Sequence, residues 1–180
     1  MAENNIEKFD KQLDDLLRIG KWDVLIGYIR KSILTENSMN IYVDSIYYIH
    51  HVLLEYRLPE NIREELSKLL LFIFNESRAK FIENSDYLFF VGYILNIAEW
   101  YFDESDRKLA KKFTDRASQL DRDNKLFRFG ALLADNRRVD ARSLALEINE
   151  DPSIREFLLS SGYAGKQIIG LINFVINELI

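Results

Sequence analysis

Residues 86–124 read DYLFFVGYILNIAEWYFDESDRKLAKKFTDRASQLDRDN, and this segment decides the fold. Its first part is densely apolar and aromatic, whereas its second part is charged and keeps Ala110 and Ala117 seven residues apart. Seven residues are close to two helical turns, so both alanines share one helix face. Gly92 is a further small residue in the first part. The segment predicts a helical hairpin whose two helices approach closely at these small residues.

The rest of the chain shows the same helical pattern. Apolar residues recur three and four positions apart in nearly every segment, which is typical of one buried helix face. The sequence has 2 prolines and 7 glycines, too few for the many turns of a sandwich or barrel. Short polar links between the segments favour antiparallel pairs of helices. We therefore predict an all-α fold in which residues 1–180 form a single domain, a right-handed, repeat-like bundle of about ten helices stacked as antiparallel hairpins.

Several helix ends are marked by particular residue types. Glycine is common just after a helix, and Gly20 and Gly162 are expected in that position. Polar side chains that accept hydrogen bonds from the first backbone N–H groups are common just before a helix. The candidate caps of this kind are Ser85 or Asp86, Asp123, and Asp151 with Pro152 after it.

The composition argues against catalytic and metal sites. Cysteine is absent, which excludes disulfides, thiolate catalysis and cysteine-based zinc sites. His50 and His51 are adjacent, and neighbours in a helix point about 100° apart, so they do not chelate one metal together. The sequence lacks a glycine-rich phosphate loop and a G-x-S-x-G nucleophile motif. We expect no metal, no cofactor and no enzymatic activity, with an all-helical enzyme as an alternative because helical folds do host active sites.

The charge balance bears on partners and location. The chain has 29 acidic and 24 basic residues, a net charge of −5, so a charged partner is expected to be basic and nucleic acid is not expected. The first residues lack the apolar core of a signal peptide. The longest apolar run is interrupted by Asn96 and Glu99 and is too short for a membrane span. We therefore expect a cytoplasmic protein that is not inserted in a membrane.

An aromatic and acidic cluster follows the apolar run. Trp100 and Phe102 are expected on the inner face of their helix, so one interpretation is core packing with helix capping. The other interpretation is an interface, because an aromatic anchor surrounded by carboxylates suits a positively charged protein. The candidate partner-binding residues of this cluster are Glu99, Trp100, Tyr101, Asp103, Glu104 and Asp106.

Two further groups near the N-terminus have two interpretations each. Acids on one face of the first predicted helix are either a solvated surface or a docking site for a basic partner, with Asp10 and Asp14 as candidate contacts. Tyr42 and Tyr48 fall off the main apolar stripe of the third predicted helix, so they are either core residues or exposed, adhesive ones. The four acids of the first group are Glu3, Glu7, Asp10 and Asp14.

The hairpin segment resembles a tetratricopeptide repeat. That repeat has a glycine where two helices approach, alanines at two packing positions of the second helix, and a closing Leu-Asp-Pro. Arg122 replaces the proline, Thr114 replaces an aromatic residue, and the link between the helices is about six residues longer than in the repeat. The resemblance implies stacked helical hairpins. The matching small positions are Gly92, Ala110 and Ala117, and LDRDN matches the closing motif.

Residues 90–124 also resemble a segment of small all-helical bacterial immunity proteins, which are encoded beside contact-dependent and polymorphic toxins. This resemblance implies a cytoplasmic protein that binds one secreted toxin, often a nuclease, and blocks it. We therefore expect an immunity protein that occludes a basic toxin domain. The alternative is a tetratricopeptide-like scaffold that binds peptide segments of a partner. Such a scaffold would be marked by Asn, Lys and Arg residues clustered on the first helix of each hairpin. In this sequence those residues are scattered. The matching residues are Gly92, Tyr93, Trp100, Tyr101 and Phe102.

Overall fold

The computed structural model describes residues 5–102 and 108–178. These two ranges contain ten α-helices and no strand, which confirms the all-α fold and the number of helices. A short 3-10 turn, Glu99–Tyr101, follows the fifth helix. The helices are α1 (Asn5–Ile19), α2 (Trp22–Glu36), α3 (Met39–Glu55), α4 (Glu60–Phe81), α5 (Ser85–Ala98), α6 (Leu109–Leu120), α7 (Lys125–Ala134), α8 (Arg138–Asn149), α9 (Pro152–Ser160) and α10 (Gly162–Glu178).

The chain divides into two compact units, Met1–Lys80 and Phe81–Ile180. Each unit buries apolar side chains of its own. The single domain expected over residues 1–180 stays a prediction. Fully buried residues of the first unit include Leu13, Leu25, Ile29, Ile46 and Ile73, and those of the second include Phe89, Ile94, Phe129, Ala145 and Ile168.

In the first unit, α1, α2 and α3 pack on one another. Helix α4 is joined to α3 by Arg63, whose Nη1 donates a hydrogen bond to the Leu53 carbonyl oxygen at 3.1 Å. Both Tyr42 and Tyr48 of α3 are buried, so they belong to the core and not to an exposed, adhesive surface. The interpretation that left one or both exposed was wrong because α3 is covered on more than the one face that its main apolar stripe marks.

In the second unit, each helix from α5 to α10 packs on the next one along the chain. Contacts also join α5 to α7 and α8 to α10, so helices two apart in sequence are neighbours, as in a stack of helical hairpins. The predicted small residues do lie where α5 meets α6. Ala110 and Ala117 are buried, and a Cβ built on Gly92 would lie 3.0 Å from the Phe113 Cβ.

The helix ends correct two of the predicted caps. The Oδ1 atom of Asn84 accepts a hydrogen bond from the Tyr87 backbone N–H at 2.9 Å, so Asn84 caps α5 and both Ser85 and Asp86 already lie within the helix. Helix α7 is capped by Asn124, one residue after the predicted Asp123. The cap at Asp151, with Pro152 in the first turn of α9, is confirmed. Gly20 and Gly162 follow α1 and α9 with φ of 65° and 69°, a conformation that favours glycine.

Candidate partner-binding surface

The turn after α5 directs two neighbouring aromatic residues to opposite environments. The Trp100 side chain is 65% exposed, whereas Phe102 is buried. The expectation that both point inward is therefore confirmed for Phe102 and wrong for Trp100. The helix changes to a 3-10 turn at Glu99, and the tighter winding alters the direction of each following side chain. The Tyr101 ring is half-buried, and its centroid lies 5.9 Å from that of Trp100.

Two residues form a short row on the outer face of α5, just before Trp100. Tyr93 and Ile97 are four residues apart, which places them on one side of the helix, and Trp100 follows in the 3-10 turn. Ile97 is 41% exposed and Tyr93 is half-buried. Burial raises the pKa of the Tyr93 phenol, so this group stays neutral and can both donate and accept hydrogen bonds.

Beside this row lies a groove of about 590 Å³, which we call the α5–α10 groove. Its wall on α10 includes Phe174, a large aromatic residue that is 53% exposed. Its lining also includes polar side chains with amide groups. The lining residues are Tyr93, Asn96, Ile97, Leu133, Asn136, Arg138, Gln167, Gly170, Leu171, Phe174 and Val175.

The end of α7 fixes two of the polar groups at the groove. Asn136 has φ of 57°, and the backbone N–H groups of Asn136 and Arg137 donate to the Leu133 and Leu132 carbonyl oxygens. This is the Schellman arrangement, in which a left-handed residue ends a helix and satisfies its last carbonyls. The Nε atom of Arg138 donates to Oδ1 of Asn136 at 3.0 Å. The two side chains are thus held together at the start of α8.

The acidic residues predicted beside Trp100 carry no described side chain. Asp103, Glu104 and Asp106 lie outside the described residues, and for Glu99 only the backbone in the 3-10 turn is described. Their role in partner binding stays a prediction from the sequence.

The acidic face predicted for α1 is not exposed to solvent along its whole length. Asp10 is only 3% exposed, so it is not part of a solvated stripe. Asp14 is exposed, and its Oδ1 accepts a hydrogen bond from the Tyr48 hydroxyl at 2.9 Å. Burial, followed by the negative charges of Asp10 and Asp14, raises the pKa of Tyr48, which stays protonated as a donor. Glu7 is exposed, and Glu3 lies outside the described residues.

Of the two candidate contacts on α1, Asp14 lies at the surface and Asp10 does not. The Asp10 side chain lies on the inner side of α1, so a partner on the surface would not reach it. Asp14 is held in place by the buried Tyr48 and can also face a partner. Both belong to the first unit, whereas Trp100 and Tyr101 belong to the second.

No protein family, curated protein or solved structure matches the chain. The resemblances to tetratricopeptide repeats and to immunity proteins therefore stay predictions. Within residues 5–102 and 108–178, no cluster of three or more His, Asp or Glu side chains could hold a metal ion. None of the helices in the same ranges combines the length and the apolar character needed to cross a lipid bilayer.

The wall of the groove that α10 supplies was not predicted from the sequence. Gln167, Leu171 and Phe174 are spaced by four and three residues, which places them on one side of α10. A signal was present in the sequence, since α10 is apolar nearly all round and such a helix is expected either to be buried among other helices or to cover the apolar surface of a partner. Its buried face consists of Gly162, Ala164, Gly165, Ile168, Ile172 and Val175.

Proposed function

We propose that this chain binds another protein through the outer face of α5 and the α5–α10 groove. The observation that carries the proposal is the exposure of Trp100 in the turn after α5, the helix on which Ile97 is also exposed. Tryptophan is among the residues that contribute most binding energy at protein interfaces, provided that a partner covers it. The groove beside the row is lined by both apolar and polar side chains, and protein interfaces combine the two.

The partner that fits the remaining features is a basic toxin domain, with this chain as its cytoplasmic immunity protein. The sequence places Asp103, Glu104 and Asp106 within six residues after Trp100, and the whole chain carries a net charge of −5. Opposite charges would steer the two proteins together and accelerate association at low salt. Bound one to one, the chain would occlude the toxin surface that meets its substrate.

The proposal is tested by binding and rescue with the product of the neighbouring gene. We expect the two proteins to co-purify as a 1:1 complex and the chain to restore growth to cells that express the partner. Asp103→Lys combined with Glu104→Lys should slow association and weaken its dependence on salt, while leaving the helical content unchanged. Failure to co-purify, together with failure to rescue, would exclude the immunity function.

A second function is favoured by a specific observation, the gathering of amide side chains at the groove. Asn96, Asn136 and Gln167 line it together with Arg138, although they are scattered in the sequence. Amides offer donors and acceptors to a peptide backbone, as a tetratricopeptide-like scaffold requires. Such a scaffold should bind many extended peptides with micromolar affinity, and Phe174→Gln should abolish the binding. An immunity protein should instead bind a single toxin and ignore these peptides.

A further inference from the structure

The first unit contains a cleft of about 640 Å³ between α2 and α4, which we call the α2–α4 cleft. It shares no lining residue with the α5–α10 groove. Small-molecule sites usually have volumes of about 300–1,000 Å³ and combine mostly apolar walls with a few polar groups. The lining residues are Arg30, Ile33, Leu34, Asn37, Tyr42, Lys68, Leu69, Phe72, Glu76 and Lys80.

The cleft extends along α4, and its two walls run in the same direction. Nη2 of Arg30 lies 3.2 Å from Oε1 of Glu65, and Nζ of Lys80 donates to Oδ1 of Asn37 at 2.9 Å. Arg30 near the middle of α2 thus meets the first part of α4, and Asn37 at the end of α2 meets the last part of α4, so the two helices run parallel. The lining residues of α4 span twelve positions, from 68 to 80, which corresponds to about 18 Å along the helix.

The middle of the cleft is apolar and open to solvent. Leu34 of α2 is 83% exposed and Phe72 of α4 is 55% exposed, and the two stand on opposite walls. Ile33 and Leu69 are buried beneath them. An apolar ligand lying between Leu34 and Phe72 would remove both from water, which is favourable in proportion to the apolar area covered.

Cations stand at both ends of the cleft. Arg30 and Lys68 mark one end, where they pair with Glu65 and Glu64 at the surface. Surface ion pairs of this kind contribute little, so a ligand carboxylate can replace one of them at small cost. Lys80 marks the other end, and its three donor directions meet Asn37, Tyr42 and Glu76 at 2.9, 2.6 and 3.1 Å. The hydrogen bonds to Tyr42 and Glu76 raise the pKa of the Lys80 ammonium group.

We propose that the α2–α4 cleft binds a small amphipathic anion, namely a carboxylate with an unbranched apolar tail. The carboxylate would lie at Arg30 and Lys68, since the planar guanidinium matches a carboxylate with two hydrogen bonds. The tail would lie between Leu34 and Phe72 and point towards Tyr42. A single negative charge suits the site better than an acidic helix, because several carboxylates would also face Glu64, Glu65 and Glu76.

The test is calorimetric titration of the full chain with dodecanoate below its micelle concentration. We expect saturable 1:1 binding that is weaker when the cationic dodecyltrimethylammonium is used. Leu34→Gln and Phe72→Gln should each weaken dodecanoate binding about tenfold, and Arg30→Gln about threefold. Because these side chains are exposed, the variants should keep their helical content. Val139→Gln in α8 is the matched control, since Val139 is 84% exposed and its replacement should leave binding unchanged.

Each of four results would overturn the proposal. Dodecanoate that fails to saturate, or that binds Leu34→Gln and Phe72→Gln as tightly as the original chain, would show that the cleft is not the site. Equal binding of dodecyltrimethylammonium would show that the cations do not select the ligand. An acidic amphipathic peptide that binds at the cleft when dodecanoate does not would assign the cleft to a protein partner.

Discussion

Gly92 of α5 lies against Thr114 of α6 so closely that a Cβ built on Gly92 would be 2.9 Å from the Thr114 Cγ2 atom. The same Cβ would be 3.2 Å from the Thr114 backbone nitrogen, which a rotamer change cannot move away. The closeness of this contact leaves little room between α5 and α6 at position 114. A larger side chain at 114 would therefore push against α5.

We expect Gly92→Ala to lower the free energy of unfolding by about 1 kcal/mol. Adding a methyl group to a packed contact costs about 1–3 kcal/mol, and the better helix propensity of alanine offsets about 1 kcal/mol of this cost. Urea denaturation followed by circular dichroism measures the change. Gly170→Ala is the control, because its Cβ would meet nothing within 4 Å, and it should raise stability by about 0.5–1 kcal/mol. Equal shifts in the same direction would contradict the role of the close contact.

Much of this hairpin could be predicted from the sequence, because small residues at helical spacing report helix approach directly. Ala110, Ala117 and Gly92 were placed correctly on that basis. The direction of Trp100 could not be predicted in this way. Helical periodicity assumes an unbroken α-helix, whereas the helix tightens at Glu99 and the expected inner position falls to Phe102. Likewise, Asp10 was expected at the surface because its charge suggested water, whereas its position on α1 faces inward.

Single substitutions can distinguish which of two adjacent residues, Asp123 or Asn124, caps α7. Oδ1 of Asn124 accepts hydrogen bonds from the Leu126 and Phe127 backbone N–H groups at 3.0 and 3.4 Å. We expect Asn124→Ala to reduce the unfolding free energy by about 1 kcal/mol, and Asn124→Ser to reduce it much less. Asp123→Ala, one residue earlier, should change stability by less than about 0.5 kcal/mol. Thermal unfolding of the three variants checks this order, and a larger loss at Asp123 would refute it.

The stability of the first unit should decrease in mild acid because of His50. Burial, with a smaller contribution from His51, lowers the pKa of His50 from 6.5 to about 4. Between these two values the unfolded chain binds a proton that the folded chain does not, so stability is full above about pH 6.5 and falls as the pH approaches 4. The loss is at most about 3 kcal/mol.

Urea denaturation of the original chain and of His50→Gln, at several pH values from 7 to about 4, measures this contribution. The His50→Gln variant should lack the part of the decrease that falls between about pH 6.5 and 4. His51→Gln is the matched control and should keep most of it, because burial is the larger cause. Identical pH profiles for the original chain and His50→Gln would contradict the assignment.

Trp100 and Phe102 should separate binding from stability. Trp100 is mostly exposed, so Trp100→Ala should change the unfolding free energy by less than about 1 kcal/mol while weakening partner binding by about 2 kcal/mol or more, roughly 30-fold. Phe102→Ala should instead cost about 3–5 kcal/mol of stability, because the ring is buried. Leu159→Ala, which removes an exposed apolar side chain from α9, should alter neither quantity appreciably. Titration calorimetry with the co-purified partner and urea denaturation give both numbers, and a Trp100→Ala variant that binds normally would remove this residue from the interface.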